Sequence, residues 1–340
     1  MTIHGPGTAD PNVVHLADIQ PRAKIFTIWE RHRHAKVHWL AECFAEFMGV
    51  FFYCYAGVGS TAPWVIGNAI GETGLSSILQ IGIAYASGIV FAICFCSATS
   101  GGHFSPGITI AFCLFKGFPK VKGLRYIVAQ ILGGYVACLL IYVQYKHLLD
   151  QAEGAMVLAG TFSELQFTPS APAGIFGLYL LPGAKIGQVF LNEFVTDVML
   201  AVVIWGSIDP TNVLVPPQAA PWIIALGYAV AIWGFAFPGL AANAARDVGG
   251  RLAALTIYGR QASGGSYAAL AALTNIPATM FGVLLYELFL VDSQRVIPKA
   301  SMEYIRVHKN HGCLHDHSPV RRNSSSSSNS EKNAMAIAEA

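Results

Sequence analysis

The chain alternates between long apolar runs and short breaks rich in glycine, proline or charge. Six runs reach the roughly 20 residues that a bilayer crossing requires: Trp39–Val58, Ile78–Ala98, Ile127–Val143, Val189–Ile208, Trp222–Phe237 and Tyr267–Leu290. They predict six transmembrane helices, and an even number returns both ends of the chain to one side of the membrane. Two further stretches break the pattern. Ser100-Gly101-Gly102-His103-Phe104-Ser105-Pro106-Gly107 follows the second span, and Pro238-Gly239-Leu240-Ala241-Ala242-Asn243-Ala244-Ala245-Arg246-Asp247 follows the fifth. Their glycines and prolines end one helix, while a polar N-cap residue (Ser105, with Pro106 at the first helical position) suits the start of a short new one. Backbone that breaks at membrane depth must face protein or water. Interrupted segments at matching places in two halves point to a transport site near the midplane.

The halves echo each other: Ala45-Glu46-Phe47 opens the first span and Asn192-Glu193-Phe194 the fourth. With three spans per half, the second copy is inverted. The predicted fold class is therefore an all-α membrane protein with six transmembrane helices plus two re-entrant half-helices in an inverted repeat. Residues 1–36 are polar, contain the cluster Arg31-His32-Arg33-His34, and are expected to be disordered and then interfacial. Residues 37–291 form the membrane domain, and 292–340 a second polar tail expected to be largely disordered. The connection from Gln144 to Lys185 holds Pro169, Pro172 and Pro182 and little charge, and reads as a long functional loop over the site.

Charge placement orients the molecule. The 340 residues are 54% hydrophobic and only 12% charged, and the net charge of +2 says little as a total. Basic residues gather before the first span (Arg22, Lys24, Arg31, Arg33, Lys36), between the second and third (Lys116, Lys120, Lys122, Arg125) and after the last. By the positive-inside rule these segments are cytoplasmic, as are both termini. Because the basic groups flank spans, they form no nucleic-acid surface. The seven cysteines show no pairing or metal spacing and read as small core residues. No metal or other cofactor is called for, and no cleavable signal precedes the first span. Arg321-Arg322-Asn323-Ser324, a candidate phosphorylation site, leads into a serine run, and the sequon Asn323-Ser324-Ser325 falls on the cytoplasmic side, where no glycan is expected.

Ala45-Glu46-Phe47-Met48-Gly49, Ser100-Gly101-Gly102-His103, Gln130, Glu193, and Asn243 with Arg246 occur in an order and spacing that resembles the aquaporin, or major intrinsic protein, family, over about Trp39 to Leu290. Two departures stand out: Ser105-Pro106-Gly107 and Asn243-Ala244-Ala245 replace the family's paired Asn-Pro-Ala. The resemblance implies two half-helices meeting N-terminus to N-terminus beside a single-file pore, assembled as a homotetramer with one pore per subunit. Each half-helix presents roughly half a positive charge at its start. The pore centre then repels cations, while the loop carbonyls of Gly101, Gly102, His103 and Phe104, and of Gly239, Leu240, Ala241 and Ala242, accept from permeating hydroxyls. Asn243 is expected to cap its half-helix and donate to the permeant. Ser105 brings a rotatable hydroxyl that both donates and accepts, which relaxes orientation and weakens proton exclusion.

The resemblance also places an outer constriction at Tyr85, Ala231, Leu240 and Arg246, with Ala231 leaving it wide and apolar. Asp247 with Arg251 is similar to the pattern of the glycerol-conducting branch. The residues alone leave alternatives open. Arg246 could simply pair with Asp247, and Tyr85 and Leu240 could be packing contacts. Asp247 and Arg251 also make ordinary first-turn helix electrostatics. His103 reads either as a gate or as a buried structural hydrogen-bonding residue. Glu46 and Glu193 invite a proton relay, whereas the family implies that they accept hydrogen bonds from the loops, with Gln130 beside Glu46.

The resulting expectation is a passive, non-enzymatic channel in the lipid bilayer for water and small neutral solutes such as glycerol; water-selective and peroxide-conducting variants remain open. Two other classes compete. A serine hydrolase would use Ser105 with His103 but lacks the glycine two residues before the nucleophile. A proton-coupled transporter would use Glu46 and Glu193.

Overall fold

The computed structural model describes residues 16–311, and these divide into two compact units. The larger, Lys36–Tyr304, is the membrane domain. Its helices are α1 (His38–Ile70), α2 (Ile78–Ser100), α3 (Pro106–Phe115), α4 (Lys120–Leu158), α5 (Ile186–Ile208), α6 (Ala220–Phe235), α7 (Ala244–Tyr258), α8 (Gly265–Leu273) and α9 (Asn275–Phe289). Helices α1, α2, α4, α5 and the α8–α9 pair are each long and apolar enough to cross a membrane. Helix α6 is shorter, 16 residues, or roughly 24 Å at 1.5 Å per residue. The sixth crossing is interrupted at Thr274, because Pro277 has no N–H to offer the Leu273 carbonyl.

The inverted repeat shows in the packing. Helix α1 packs against α2 and α4, and α5 packs against α6 and α9. Half-helix α3 lies against α4 and α9, and half-helix α7 lies chiefly against α4. Small residues make the approaches possible, as expected where lipid supplies no hydrophobic drive between helices. A Cβ on Gly133 of α4 would overlap the Phe47 carbonyl of α1; one on Gly282 of α9 would lie 2.7 Å from the Val198 carbonyl of α5. The same glycine contact therefore serves the same pair of spans in each half.

Three expectations are corrected. Helix α1 runs to Ile70 and α4 to Leu158, well past Val58 and Val143. The extensions are stabilised by each other: Val65 and Ile66 bury against the same cluster as Leu149 and Ala152. Lys146 and Asp150 pair at i,i+4 on the outer face of α4. The presumed loop of 144–185 is thus helix up to Leu158, followed by short helices Phe162–Leu165 and Pro172–Phe176. The N-terminal tail is helical over Lys24–His32, followed by a π-helical turn over Arg33–Val37. In the C-terminal tail Lys299–His311 is helical. The phosphorylation candidate, the serine run, the sequon and Cys313 lie outside the described residues.

Candidate functional site

Two loops of matching construction supply the site. After α2 ends, Gly101 and Gly102 take φ of 94° and 73°, and Phe104, just before the N-cap of α3, takes φ 48°. After α6, Gly239 takes φ 114°, and Ala242, just before the N-cap of α7, takes φ 56°. Left-handed backbone costs a non-glycine residue about 1–2 kcal/mol. Both strained residues are held from two sides. The N–H of Phe104 donates to Glu46 Oε2 (2.7 Å), and its carbonyl accepts from Tyr53 Oη (3.2 Å) and Asn243 Nδ2 (3.0 Å). The N–H of Ala242 donates to Glu193 Oε1 (2.8 Å), and its carbonyl accepts from Asn275 Nδ2 (3.1 Å).

The two buried glutamates organise these loops. Glu46 Oε1 accepts from Ser100 Oγ (2.6 Å) and the His103 N–H (3.0 Å), and Oε2 also accepts from Gln130 Nε2 (2.7 Å). Gln130 Nε2 reaches Thr109 Oγ1 of α3 as well (3.0 Å), so one amide links the carboxylate to the half-helix. Glu193 Oε2 accepts from the Ala241 N–H at 2.7 Å. The donors to Glu46 are thus loop N–H groups, Ser100 and Gln130, while Glu193 accepts from two loop N–H groups and has the buried carboxyl of Asp197 beside it, one turn further along α5.

The half-helix starts differ. Asn243 Oδ1 accepts from the Ala245 and Arg246 N–H groups (2.8 and 3.4 Å), capping α7, while its Nδ2 donates across to Phe104. The capping bonds match the expected N-cap, and the bond to Phe104 limits what the amide can offer elsewhere. One of its two amide hydrogens ties the loops together, and a single hydrogen is left. Ser105 has the extended backbone of an N-cap, yet its hydroxyl makes no capping bond and has no partner among the described residues. Pro106 follows at the first helical position, and Gly107 lies against Asn275 and Thr279 of α9. Ala244 and Ala245 are buried in the first turn of α7.

Arg246 is buried and fixed by two bonds, from Nε to Tyr85 Oη (3.2 Å) and from Nη1 to the Phe176 carbonyl (2.8 Å). It makes no ion pair with Asp247. Asp247 Oδ1 instead accepts from Arg251 Nη2 at 2.7 Å, and Arg251 also donates to the carbonyls of Leu178 (2.9 Å) and Ser263 (3.2 Å). This buried pair ties α7 to the loop after Pro172–Phe176. Leu240 and Tyr228 both pack against the buried cluster of Leu200, Ala231 and Ala242. Ala231 is a correction: it is wholly buried and has a packing role, so it holds no open space in a constriction. Tyr228, three residues earlier and on the same face of α6, packs against both this cluster and the one containing Tyr85.

His103 stands in an aromatic enclosure, stacked on Phe112 at 4.4 Å between ring centroids, with Phe118 at 4.6 Å and Tyr126 at 5.4 Å. Its Nδ1 is buried without a partner, and no bond joins it to Ser105, so the pair lacks the base-to-nucleophile contact a hydrolase needs. The sequence reading missed Tyr53, Phe176, Tyr228, Asp197 and Asn275. Asp197, an acid one turn after Glu193 in an apolar span, and Asn275, an amide in the sixth span, carried the polar signal that could have exposed them. Phe176 contributes only its carbonyl, which no side-chain pattern reveals.

A site bounded by Gly57 also yields a prediction. A Cβ there would overlap the ring of Tyr85. Gly57→Ala is expected to push Tyr85 off Arg246 and to cost about 1–3 kcal/mol, read as a lower Tm together with a slower swelling rate of reconstituted vesicles.

Comparison with known proteins completes the assignment. The description of the Major intrinsic protein family matches residues 33–261. Aquaporin-3 of Laccaria bicolor is 56% identical over 301 residues, covering 88% of this chain and 91% of its own. Aquaglyceroporin-9 of Botryotinia fuckeliana is 32% identical over 302 residues, covering 86% and 62%. The crystal structure of the aquaglyceroporin from Plasmodium falciparum superposes with a TM-score of 0.63 at 20% identity, over 74% of this chain and 97% of that one, and so shares the fold. The chain belongs to the major intrinsic protein family, and it is accordingly an integral multi-pass membrane channel for water and small solutes and not an enzyme.

Proposed function

We propose that the channel conducts glycerol as well as water, past a constriction formed by Arg246, Tyr85, Leu240 and Tyr228. The observation that carries this reading is the guanidinium held between Tyr85 and the Phe176 carbonyl. Its remaining nitrogen, Nη2, has no partner among the described residues, and Tyr228, which packs with Leu240 against one apolar cluster, packs like Tyr85 against the neighbouring cluster around Tyr53 and Ile224. A polyol has hydroxyls along one side and CH groups along the other. It needs fixed donors facing an apolar wall, because CH groups set against unpaired polar atoms leave those atoms without hydrogen bonds. The aquaglyceroporin relative supports the same reading. Stopped-flow swelling of proteoliposomes tests it: glycerol influx well above empty lipid is expected, alongside fast water flux. Leu240→Asn, which makes the wall polar, should depress glycerol flux more than water flux. Wild-type vesicles that pass water quickly and glycerol no faster than lipid would leave a water-selective channel.

Within this reading Ser105 and the remaining hydrogen of Asn243 Nδ2 meet the permeant where α3 and α7 start, and their N-terminal dipoles disfavour cations. The loop carbonyls before them supply acceptors. Asp247 and Arg251 hold the outer loops. The basic flanks support a cytoplasmic position for both termini. Family resemblance supports a homotetramer with one pore in each subunit. Crosslinking in mild detergent should give a ladder ending at four, and a ladder ending at two would overturn that assembly.

A further inference from the structure

The helix Lys24–His32 has no buried residue. Ile25, Phe26, Ile28 and Trp29 are 72%, 55%, 67% and 53% exposed. Residues 25, 28, 29 and 32 fall on one face at helical spacing, and Lys24, Thr27 and Arg31 on the other. Four basic residues stand between positions 24 and 36 against a single acid, Glu30. That acid is already engaged by Arg22, whose guanidinium also lies 5.7 Å over the Phe26 ring. Lys24, Arg31 and Lys36 have no carboxylate partner among the described residues.

We propose that this helix docks on the surface of the bilayer that the channel itself spans. Its apolar face enters the boundary between headgroups and acyl chains, and its basic residues meet anionic headgroups. Nine residues are too few to cross the bilayer, but an apolar face carrying Ile25, Ile28 and Trp29 opposite lysine and arginine is what an interfacial helix requires. The surface is within reach, because only five residues separate this helix from His38, where the first span begins. Charge complementarity selects anionic lipid, each basic residue near such a surface contributing about a fivefold factor in binding. Within the chain the other candidates are the helix Lys299–His311, whose exposed Met302, Tyr304 and Val307 stand among lysine, arginine and histidine of the same charge sign as Lys24 and Arg31, and residues 312–340, whose sequence holds only scattered large apolar residues and a serine run.

The test uses the full chain in liposomes, with an environment-sensitive fluorescent amino acid at Ile28, on the apolar face, and lipids carrying a nitroxide just below the headgroup. Blue-shifted, strongly quenched emission is expected in vesicles containing phosphatidylglycerol, with both effects weakening as salt is raised. The triple variant Lys24→Glu, Arg31→Glu, Lys36→Glu should lose them while water permeability stays at the wild-type rate. Emission of a water-exposed probe in anionic vesicles would overturn the proposal. So would equal quenching in pure phosphatidylcholine. A blue shift that vanishes when residues 299–340 are removed would assign the face to the chain's own tail, and one that grows with protein-to-lipid ratio would assign it to a second copy.

Discussion

Replacing Arg246 with valine is expected to raise proton or small-cation leak at least tenfold while leaving the fold intact and water permeability within about twofold. A unit charge held about 4 Å from a permeating cation, at an effective dielectric near 20, opposes it by roughly 4 kcal/mol. Each 1.4 kcal/mol is a factor of about ten, so the barrier at risk is up to about three powers of ten. The valine leaves Tyr85 Oη and the Phe176 carbonyl without their guanidinium partner. Both lie where water can replace it if the site is a pore. Flux in vesicles loaded with a pH-sensitive dye, with an imposed potential, measures the leak. A leak that stays at the level of bare lipid would mean that Arg246 fixes the Pro172–Phe176 segment and does not guard a passage.

The second large effect concerns Glu46. Glu46→Ala removes the acceptor for four donors at once: the Ser100 hydroxyl, the His103 and Phe104 N–H groups and the Gln130 amide. A buried donor left unsatisfied costs about 1–3 kcal/mol. Four of them rival the whole stability of an ordinary domain, about 5–15 kcal/mol. The strained backbone at Phe104 loses one of its restraints in the same step. No folded channel should be recovered from the membrane, by thermal unfolding or by size-exclusion profile. Glu46→Gln separates the scaffold from a proton relay. The amide keeps one oxygen for two donors but sets an NH2 against the others, so a scaffold predicts a channel of lowered Tm with no change in its response to pH. A relay predicts a stable protein that loses uptake driven by a pH gradient.

The residue pattern by itself determined the membrane class, the number of crossings, the two broken segments and their equivalence. These depend on local quantities: the length of an apolar run against bilayer thickness, and the inability of glycine and proline to continue a helix. Glu46, Glu193 and Arg246 stood out for a related reason, since a charge among apolar neighbours must be offset by something nearby. What each touches was not local. The bond from Asn243 to Phe104 joins residues 139 positions apart, and Arg246 reaches Tyr85 across 161. Ala231 looked like empty space in the sequence because a small side chain is read as room. In the fold, Leu200, Ala242 and their neighbours fill that room, and Tyr228 from the previous turn stands between the two clusters. The extensions of α1 and α4 beyond the apolar runs, and the helix at Lys24–His32, were invisible to a search for spans. Hydropathy measures what lipid will accept, whereas a helix outside the bilayer persists through its packing partners or its own amphipathic face, and for α1 and α4 only the tertiary structure brings Val65 and Leu149 into one cluster.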